Sequence, residues 1–283
     1  MRRFAIGLAA ALAFALAAPA ASACGTPETD CAVAGDWGEG TYRIARPEGP
    51  GPHPAVLFLH GWGGRAEASI ANAGLIGPLL AAGWAVVAPQ GEPRREGERG
   101  GRWNSRNDAG ARDDVAFLSA VAAHAAETAG LDRGRMLLAG FSGGGMMAWR
   151  QACDAPESFR AYVSVAGLLW RPLPEACAGP VRLLHVHGWS DPVVPMEGRS
   201  VAGGRLTQGD LFEGLDLLRR ANGCARDDPD AYGAEGAFLL RRWTDCAPGS
   251  ALALALFDGG HRMPQGWAAL ALDWAAEATA AER

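Results

Sequence analysis

The chain predicts a single α/β domain: a mostly parallel central sheet, helices packed on both of its faces, and no large lid domain. Three observations lead there. Short, unbroken apolar runs recur along the chain, as strands covered on both faces require. Segments of helical composition fall between those runs, so successive strands must be joined by right-handed crossovers. Finally, Gly140-Phe141-Ser142-Gly143-Gly144 directly follows one apolar run and precedes a helix-compatible one. A serine on a sharp strand-to-helix turn needs that order.

Residues 1–23 read as an export signal preceding the mature domain of residues 24–283. Met1-Arg2-Arg3 is positive, Phe4 to Ala18 is apolar, and Ala21-Ser22-Ala23 fits a small-residue cleavage site. The apolar run is short for a membrane span, so no stable membrane insertion is expected after cleavage. Residues 41–45 alternate like an edge strand, and the Pro/Gly-rich residues 47–52 form a break. Residues 55–59 are a buried strand, 66–82 a helix ending at Gly83, and 84–88 the next buried strand. A polar, Gly/Arg-rich loop over 90–110 leads to a helix over 113–129. The strand over 135–139 delivers the Ser142 turn, and a helix over 146–151 leaves it. Strands over 161–166 and 181–186, a helix over 211–221, a strand over 251–257 and a helix over 265–280 complete the order. Only a short connection, residues 167–180, separates two of these strands, which leaves little room for a lid. The stretch from Cys224 to Cys246 reads as a cross-linked surface loop.

The net charge of −5 and the absence of any basic block argue against a nucleic-acid partner, although all 26 basic residues are arginine. The six cysteines follow the cleavage site and would lie in an oxidising compartment, so three disulfides are expected. Pairing neighbours along the chain gives Cys24 with Cys31, Cys153 with Cys177, and Cys224 with Cys246. Cys24 directly follows the cut, where lipidation is the alternative; that would leave an odd thiol. No Cys-x-x-Cys pair or His/Cys cluster points to a metal, and no cofactor is expected.

Nucleophilic acyl chemistry on such a sheet needs a serine, then an acid, then a histidine, in chain order at strand ends. Ser142, Asp191 and His261 meet that order. Asp191 lies in His187-Gly188-Trp189-Ser190-Asp191-Pro192, just beyond one strand, and His261 follows Phe257-Asp258-Gly259-Gly260 beyond another. Asp258 is the rival acid, read instead as capping its Gly-Gly turn. Asp113 and Asp114 read as helix-opening carboxylates. His185 and His187 read as satisfied core histidines, His60 as a loop brace, and His53 and His124 as surface residues. An oxyanion hole would use the backbone N–H of Gly143 and of Trp62, the latter in the loop His60-Gly61-Trp62-Gly63-Gly64. Trp62, Trp103, Trp170 and Trp189 fall on loops at the same ends of strands and are candidate substrate contacts. Trp84, Trp149, Trp267 and Trp274 read as packing residues.

These motifs together resemble the polyhydroxybutyrate depolymerase-type esterases, which are close to the feruloyl and acetylxylan esterases of carbohydrate esterase family 1. The resemblance rests on the Cys24/Cys31 spacing, Leu59-His-Gly-Trp-Gly-Gly64, Trp103-Asn104, Asp113-Asp-Val-Ala-Phe117 and Gly140-Phe-Ser-Gly-Gly-Gly-Met146. It continues through His187-Gly-Trp-Ser-Asp-Pro192, Asn222-Gly-Cys224, Trp243-Thr-Asp-Cys246 and Gly259-Gly-His261. It implies an exported α/β-hydrolase fold, a serine carboxylic-ester hydrolase with the triad above, and a Cys224–Cys246 pair. The implied substrates are hydroxyalkanoate oligomers or small acyl or aryl esters, with feruloyl or acetylxylan side chains as the alternative. A non-catalytic binding protein on the same scaffold is the alternative from another class. Arg262-Met263-Pro264 stands where relatives often carry Trp-Pro, and no separate polymer-binding module is expected.

Overall fold

The computed structural model describes residues 24–93, 95 and 97–280; the expected export signal lies outside the described residues. The chain opens with a hairpin of β1 (Cys31–Gly35) and β2 (Gly38–Ala45), followed by β3 (His53–Leu59), α1 (Ala66–Ala71), α2 (Ala73–Ala81) and β4 (Ala85–Pro89). A two-residue pair, β5 (Glu92–Pro93) and β6 (Gly101–Arg102), interrupts the polar loop before α3 (Asp114–Ala129). Then come β7 (Leu131–Phe141), α4 (Gly143–Asp154), β8 (Ala161–Val165), β9 (Trp170–Arg171) and β10 (Arg182–Gly188). β11 (Ser200–Val201), β12 (Leu206–Gln208) and α5 (Leu211–Ala221) precede β13 (Ala231–Glu235), β14 (Phe238–Trp243), β15 (Ala251–Phe257) and α6 (Trp267–Ala280).

Ten strands form one sheet in the order β1-β2-β4-β3-β7-β8-β10-β15-β14-β13. From β4 to β15 the pairings are parallel, and antiparallel strands flank that block on both sides. Side chains alternate between sheet faces, so a strand buried on both sides must be apolar at every position. In β3, Leu57 and Leu59 pack with Phe117, Val121 and Trp149 on the face covered by α3, α4 and α5. Val56 and Phe58 pack with Ile70, Leu79 and Trp267 on the face covered by α1, α2 and α6.

Several expectations change in detail. The helix anticipated over 66–82 divides at Asn72, whose backbone is extended and whose side chain accepts from the Leu75 N–H. Asparagine offers the backbone this local alternative to helix continuation. The stretch from Cys224 to Cys246 is not merely a surface loop, because β13 and β14 extend the main sheet beyond β15. Its pattern hides this: only one face of β14 is covered, and Leu239 lies exposed between buried Phe238 and Leu240. His53 and His124 are half-buried rather than at the surface; His53 opens β3, and His124 Nδ1 lies 2.6 Å from the Tyr42 hydroxyl.

Disulfides join Cys24 to Cys31, Cys153 to Cys177 and Cys224 to Cys246, and no cysteine is left over. The Cys24 sulfur is thereby engaged with Cys31 and is not a thiol open to acylation. The Cys153–Cys177 bridge ties the end of α4 to the segment before β10, and Cys224–Cys246 closes the chain around the β13–β14 hairpin.

A crosslink over a separation of 22 residues restricts the unfolded chain by about 3 kcal/mol. Replacing Cys224 and Cys246 together by serine is therefore expected to lower the unfolding free energy by about that amount. Denaturant titration of the double variant measures it, and reduction of the wild type should lower Tm. An unchanged Tm after verified reduction contradicts this account.

Candidate active site

Ser142 directly follows β7 and precedes α4 with φ 54° and ψ −115°, a conformation that a Cβ-bearing residue adopts only under external constraint. Backbone bonds impose it. The Ser142 N–H donates to the Val165 carbonyl at 2.8 Å, and its own carbonyl accepts from the Met146 N–H at 2.8 Å. The glycines around it permit close approach of chain to chain. A Cβ on Gly140 would overlap the Gly144 carbonyl, and one on Gly144 would overlap the Leu59 carbonyl.

Asp191 lies on the loop after β10 and is buried. Its Oδ1 accepts the N–H groups of Val193 (2.8 Å) and Val194 (2.9 Å), a local turn that fixes the carboxylate. Its Oδ2 lies 2.7 Å from His261 Nδ1. His261 Nε2 in turn lies 2.9 Å from Ser142 Oγ. An ionised carboxylate only accepts, so the His261 proton sits on Nδ1 and leaves Nε2 to receive the serine hydroxyl. The Phe141 ring packs against the His261 ring with centroids 4.9 Å apart and limits how the imidazole can turn.

The rival carboxylates lie elsewhere. Asp258 is exposed, and its backbone carbonyl accepts from Arg262. Asp113 caps α3 by accepting from the Ala116 N–H at 3.0 Å. Asp114 is buried, accepting from Arg112 Nε and the Asn104 N–H, each at 2.6 Å. Burial pushes its carboxyl upward, while Arg112 opposes that shift.

The loop after β3 is held from several sides. His60 is buried; its Nδ1 donates to the Gly61 carbonyl (2.8 Å) and its Nε2 accepts the Gly91 N–H (3.0 Å). Trp103 Nε1 donates to the His60 carbonyl at 2.8 Å, and Gly63 and Gly64 exchange backbone bonds with Gly101. This brings the Trp62 backbone nitrogen beside Gly143, where a Cβ on Gly143 would sit 3.1 Å from it. The two expected N–H donors are thus neighbours beside Ser142.

A cavity of about 590 Å³ opens at Ser142 and Gly143, walled by Trp62, Trp103, Trp170 and Met146. Trp62 is 64% exposed at the rim, whereas Trp103 is 7% exposed and serves the loop as much as the cavity. Trp170 is half-buried and donates from Nε1 to Ser105 Oγ at 3.0 Å. Trp189 is exposed and does not line this space. The cavity wall also includes Val193, Val194 and Leu206. Leu206 belongs to a three-stranded sheet, β11-β12-β9, that the sequence pattern does not reveal because its strands are only two or three residues long. A second cavity of about 790 Å³ lies between α1, α2 and the start of α6, with Phe141 and Met263 in its wall but not Ser142. Among the described residues no group of His, Cys, Asp and Glu could hold a metal ion, and no helix is long and apolar enough to cross a membrane.

The strand order, the crossovers and the strand–turn–helix that carries Ser142 define an α/β-hydrolase architecture. The chain belongs to the alpha/beta hydrolase fold family and is a carboxylic ester hydrolase. The family model, alpha/beta hydrolase fold, matches residues 54–193. NocK of Nocardia uniformis subsp. tsuyamanensis, a protein named as an esterase, is 31% identical over 238 residues, 78% of this chain and 68% of NocK. Feruloyl esterase C of Emericella nidulans is 27% identical over 220 residues, 74% of this chain and 70% of that one. Among solved structures, acetyl xylan esterase from Aspergillus awamori superposes with a TM-score of 0.62 at 15% identity, covering 88% of this chain and 99% of its own. The structure of esterase PE8 has a TM-score of 0.54 at 22% identity, covering 83% and 96%. These two likenesses are likenesses of fold.

Burial lowers the His60 imidazole from 6.5 to about 4, with its bond to Gly61 opposing and the Arg112 charge adding to the fall. The unfolded chain therefore takes up this proton before the folded one does. Stability that neutral His60 contributes is complete above pH 6.5 and is lost as pH falls toward 4, on the order of 3 kcal/mol in all. His185 and His187 are also lowered, chiefly by burial, and act in the same sense. Unfolding measured at about pH 7.5 and about pH 4.5 should show lower stability in acid. His60→Gln should flatten that acid loss; an equally steep loss in the variant would remove His60 as its source.

Proposed function

We propose that this chain is an exported serine esterase in which Ser142 attacks the ester carbonyl. His261 Nε2 takes the Ser142 proton and passes it to the departing alkoxide, leaving an acyl-enzyme. Water then attacks the acyl carbonyl, His261 takes one of its protons, and the acid product leaves as Ser142 regains its hydrogen. Asp191 holds the His261 tautomer and stabilises the imidazolium that forms twice in each turnover. The N–H groups of Gly143 and Trp62 face the developing oxyanion. One observation carries the reading: the unbroken series Ser142 Oγ, His261 Nε2, His261 Nδ1, Asp191 Oδ2 stands at the mouth of an aromatic-walled cavity.

The substrate we infer is a small acyl or aryl ester, with the acyl portion held between Trp62, Trp103 and Trp170. Flat indole faces suit an aromatic acyl group, and the relatives named as feruloyl esterases support that choice. The second reading, hydroxyalkanoate oligomers of the polyhydroxybutyrate type, is favoured by the motifs shared with the depolymerase-type esterases. The segment over residues 1–23 and the three disulfides support export to the periplasm or the medium.

With a short-chain p-nitrophenyl ester, Ser142→Ala is expected to lower kcat by at least about a thousandfold, with Tm and circular dichroism retained. Asp191→Asn should lower it by a similar order. Equal activity of wild type and Ser142→Ala removes Ser142 as the nucleophile and the mechanism with it. The same wild-type assay run on methyl ferulate, acetylated xylan and hydroxybutyrate oligomers ranks the substrate readings by kcat/KM.

A further inference from the structure

His185 and His187 take no part in the series above, yet both are fully buried on β10. Two positions apart on one strand, they share a face of the sheet, and their rings stack with centroids 5.0 Å apart. Trp149 Nε1 lies 3.0 Å from His185 Nδ1, His185 Nε2 lies 2.8 Å from His187 Nδ1, and His187 Nε2 lies 2.8 Å from the Val194 carbonyl.

The direction of this series follows from its first member. An indole N–H can only donate, so His185 Nδ1 is the acceptor and the proton of that neutral ring sits on Nε2. His185 then donates to His187 Nδ1, which places the His187 proton on Nε2, where it donates to Val194. Every ring nitrogen is used, and an added proton on either Nδ1 would face another N–H.

Both ends of the series lie on segments that carry the proposed catalytic residues. Trp149 stands on α4, the helix that Ser142 precedes. Val194, at the other end, gives its N–H to Asp191 Oδ1 and its carbonyl to His187, so this one residue is gripped on both sides. His187 Nε2 also lies 3.6 Å from Asp191 Oδ2, the oxygen that holds His261.

We propose that Trp149, His185 and His187 form a one-way hydrogen-bond relay that holds the Asp191 loop in place and keeps His187 uncharged, so that His261 is the one imidazole that takes a charge beside Asp191 Oδ2. The proposal rests on the Ser142–His261–Asp191 reading. All three are positioning residues, since none reaches the substrate cavity. A charged His187 would set a cation beside Oδ2, where it would compete with the His261 imidazolium for one carboxylate. Asp191 and Glu197 draw a proton toward His187, whereas His261 and above all burial oppose it, and burial prevails. Burial and the neighbouring His187 likewise hold His185 well below the usual imidazole range.

Nitrogen-detected imidazole spectra of the wild type test the relay without reference to turnover. Both rings are expected in the Nε2–H form, with no titration from pH 6.5, the ordinary imidazole value, up to about pH 9. An Nδ1–H form, or titration of either ring in that range, overturns the relay. Trp149→Phe keeps an aromatic ring but removes the first donor; kcat should fall about tenfold to a hundredfold with KM little changed, and the acid limb of the pH–kcat profile should gain an ionisation. His187→Gln, which keeps a donor for Val194, should retain more activity than His187→Leu. Wild-type kcat and pH profile in Trp149→Phe, or equal loss in the two His187 variants, overturns the positioning role. Failure of the underlying reading is separate: it would appear as activity in Ser142→Ala, whatever the spectra show.

Discussion

Ser142 occupies a backbone conformation with positive φ, and a side chain at that position is kept there only by what surrounds it. Its N–H is bound by Val165 at the end of β8, and its carbonyl begins α4. The turn can close only because glycine backbone at 140 and 144 lies directly against neighbouring chain, including the end of β3 at Leu59. The strain is thus borne by three adjacent parallel strands rather than by the turn itself. Residues 55–59 of β3, 136–140 of β7 and all of β8 are buried, so the nucleophile's position depends on packing in the core of the sheet.

Around that turn the polar groups of His60, Trp103, Asp191, His185 and His187 are buried but satisfied, the condition under which polar burial specifies a structure instead of weakening it. His60 bonds both to its own loop and to Gly91, and Trp103 ties that loop to the segment before α3. Asp191 is bound by two N–H groups of its own loop before it meets His261. On β10, His185 and His187 pass hydrogen bonds from α4 to Val194. Three neutral imidazoles thereby support one that must change charge. The cost is sensitivity to acid, since the unfolded chain accepts protons that these buried rings refuse.

Legibility in the sequence follows the range of the interactions. The runs over 55–59 and 251–257 read correctly as strands because burial on both faces writes itself into every residue. Strands β13 and β14 at the sheet margin escape notice, since β13 has no buried residue and carries Gly233, and the one covered face of β14 leaves Leu239 and Arg241 exposed in the pattern. Asn72 breaks a helix whose composition is otherwise continuous, a decision made by one side chain bonding three residues ahead. Among the candidate tryptophans, composition treats Trp62, Trp103, Trp170 and Trp189 alike. Their exposure, partners and place relative to the cavity differ because packing between distant segments sets them.

The sequence by itself determined the α/β class, the order serine–acid–histidine, the glycines that the nucleophile turn requires and an even set of six cysteines. Each of these is local: a run of side chains, a spacing, or a backbone angle that only certain residues accept. Only the tertiary structure decided that Ser142, His261 and Asp191 meet within hydrogen-bond distance, and that Trp62 brings its nitrogen beside Gly143. The same holds for the two core histidines, whose line from Trp149 to the Asp191 loop joins a helix, a strand and a turn. Hydrogen bonds of this kind depend on distances between segments far apart in the chain, and those distances exist only once the sheet has formed.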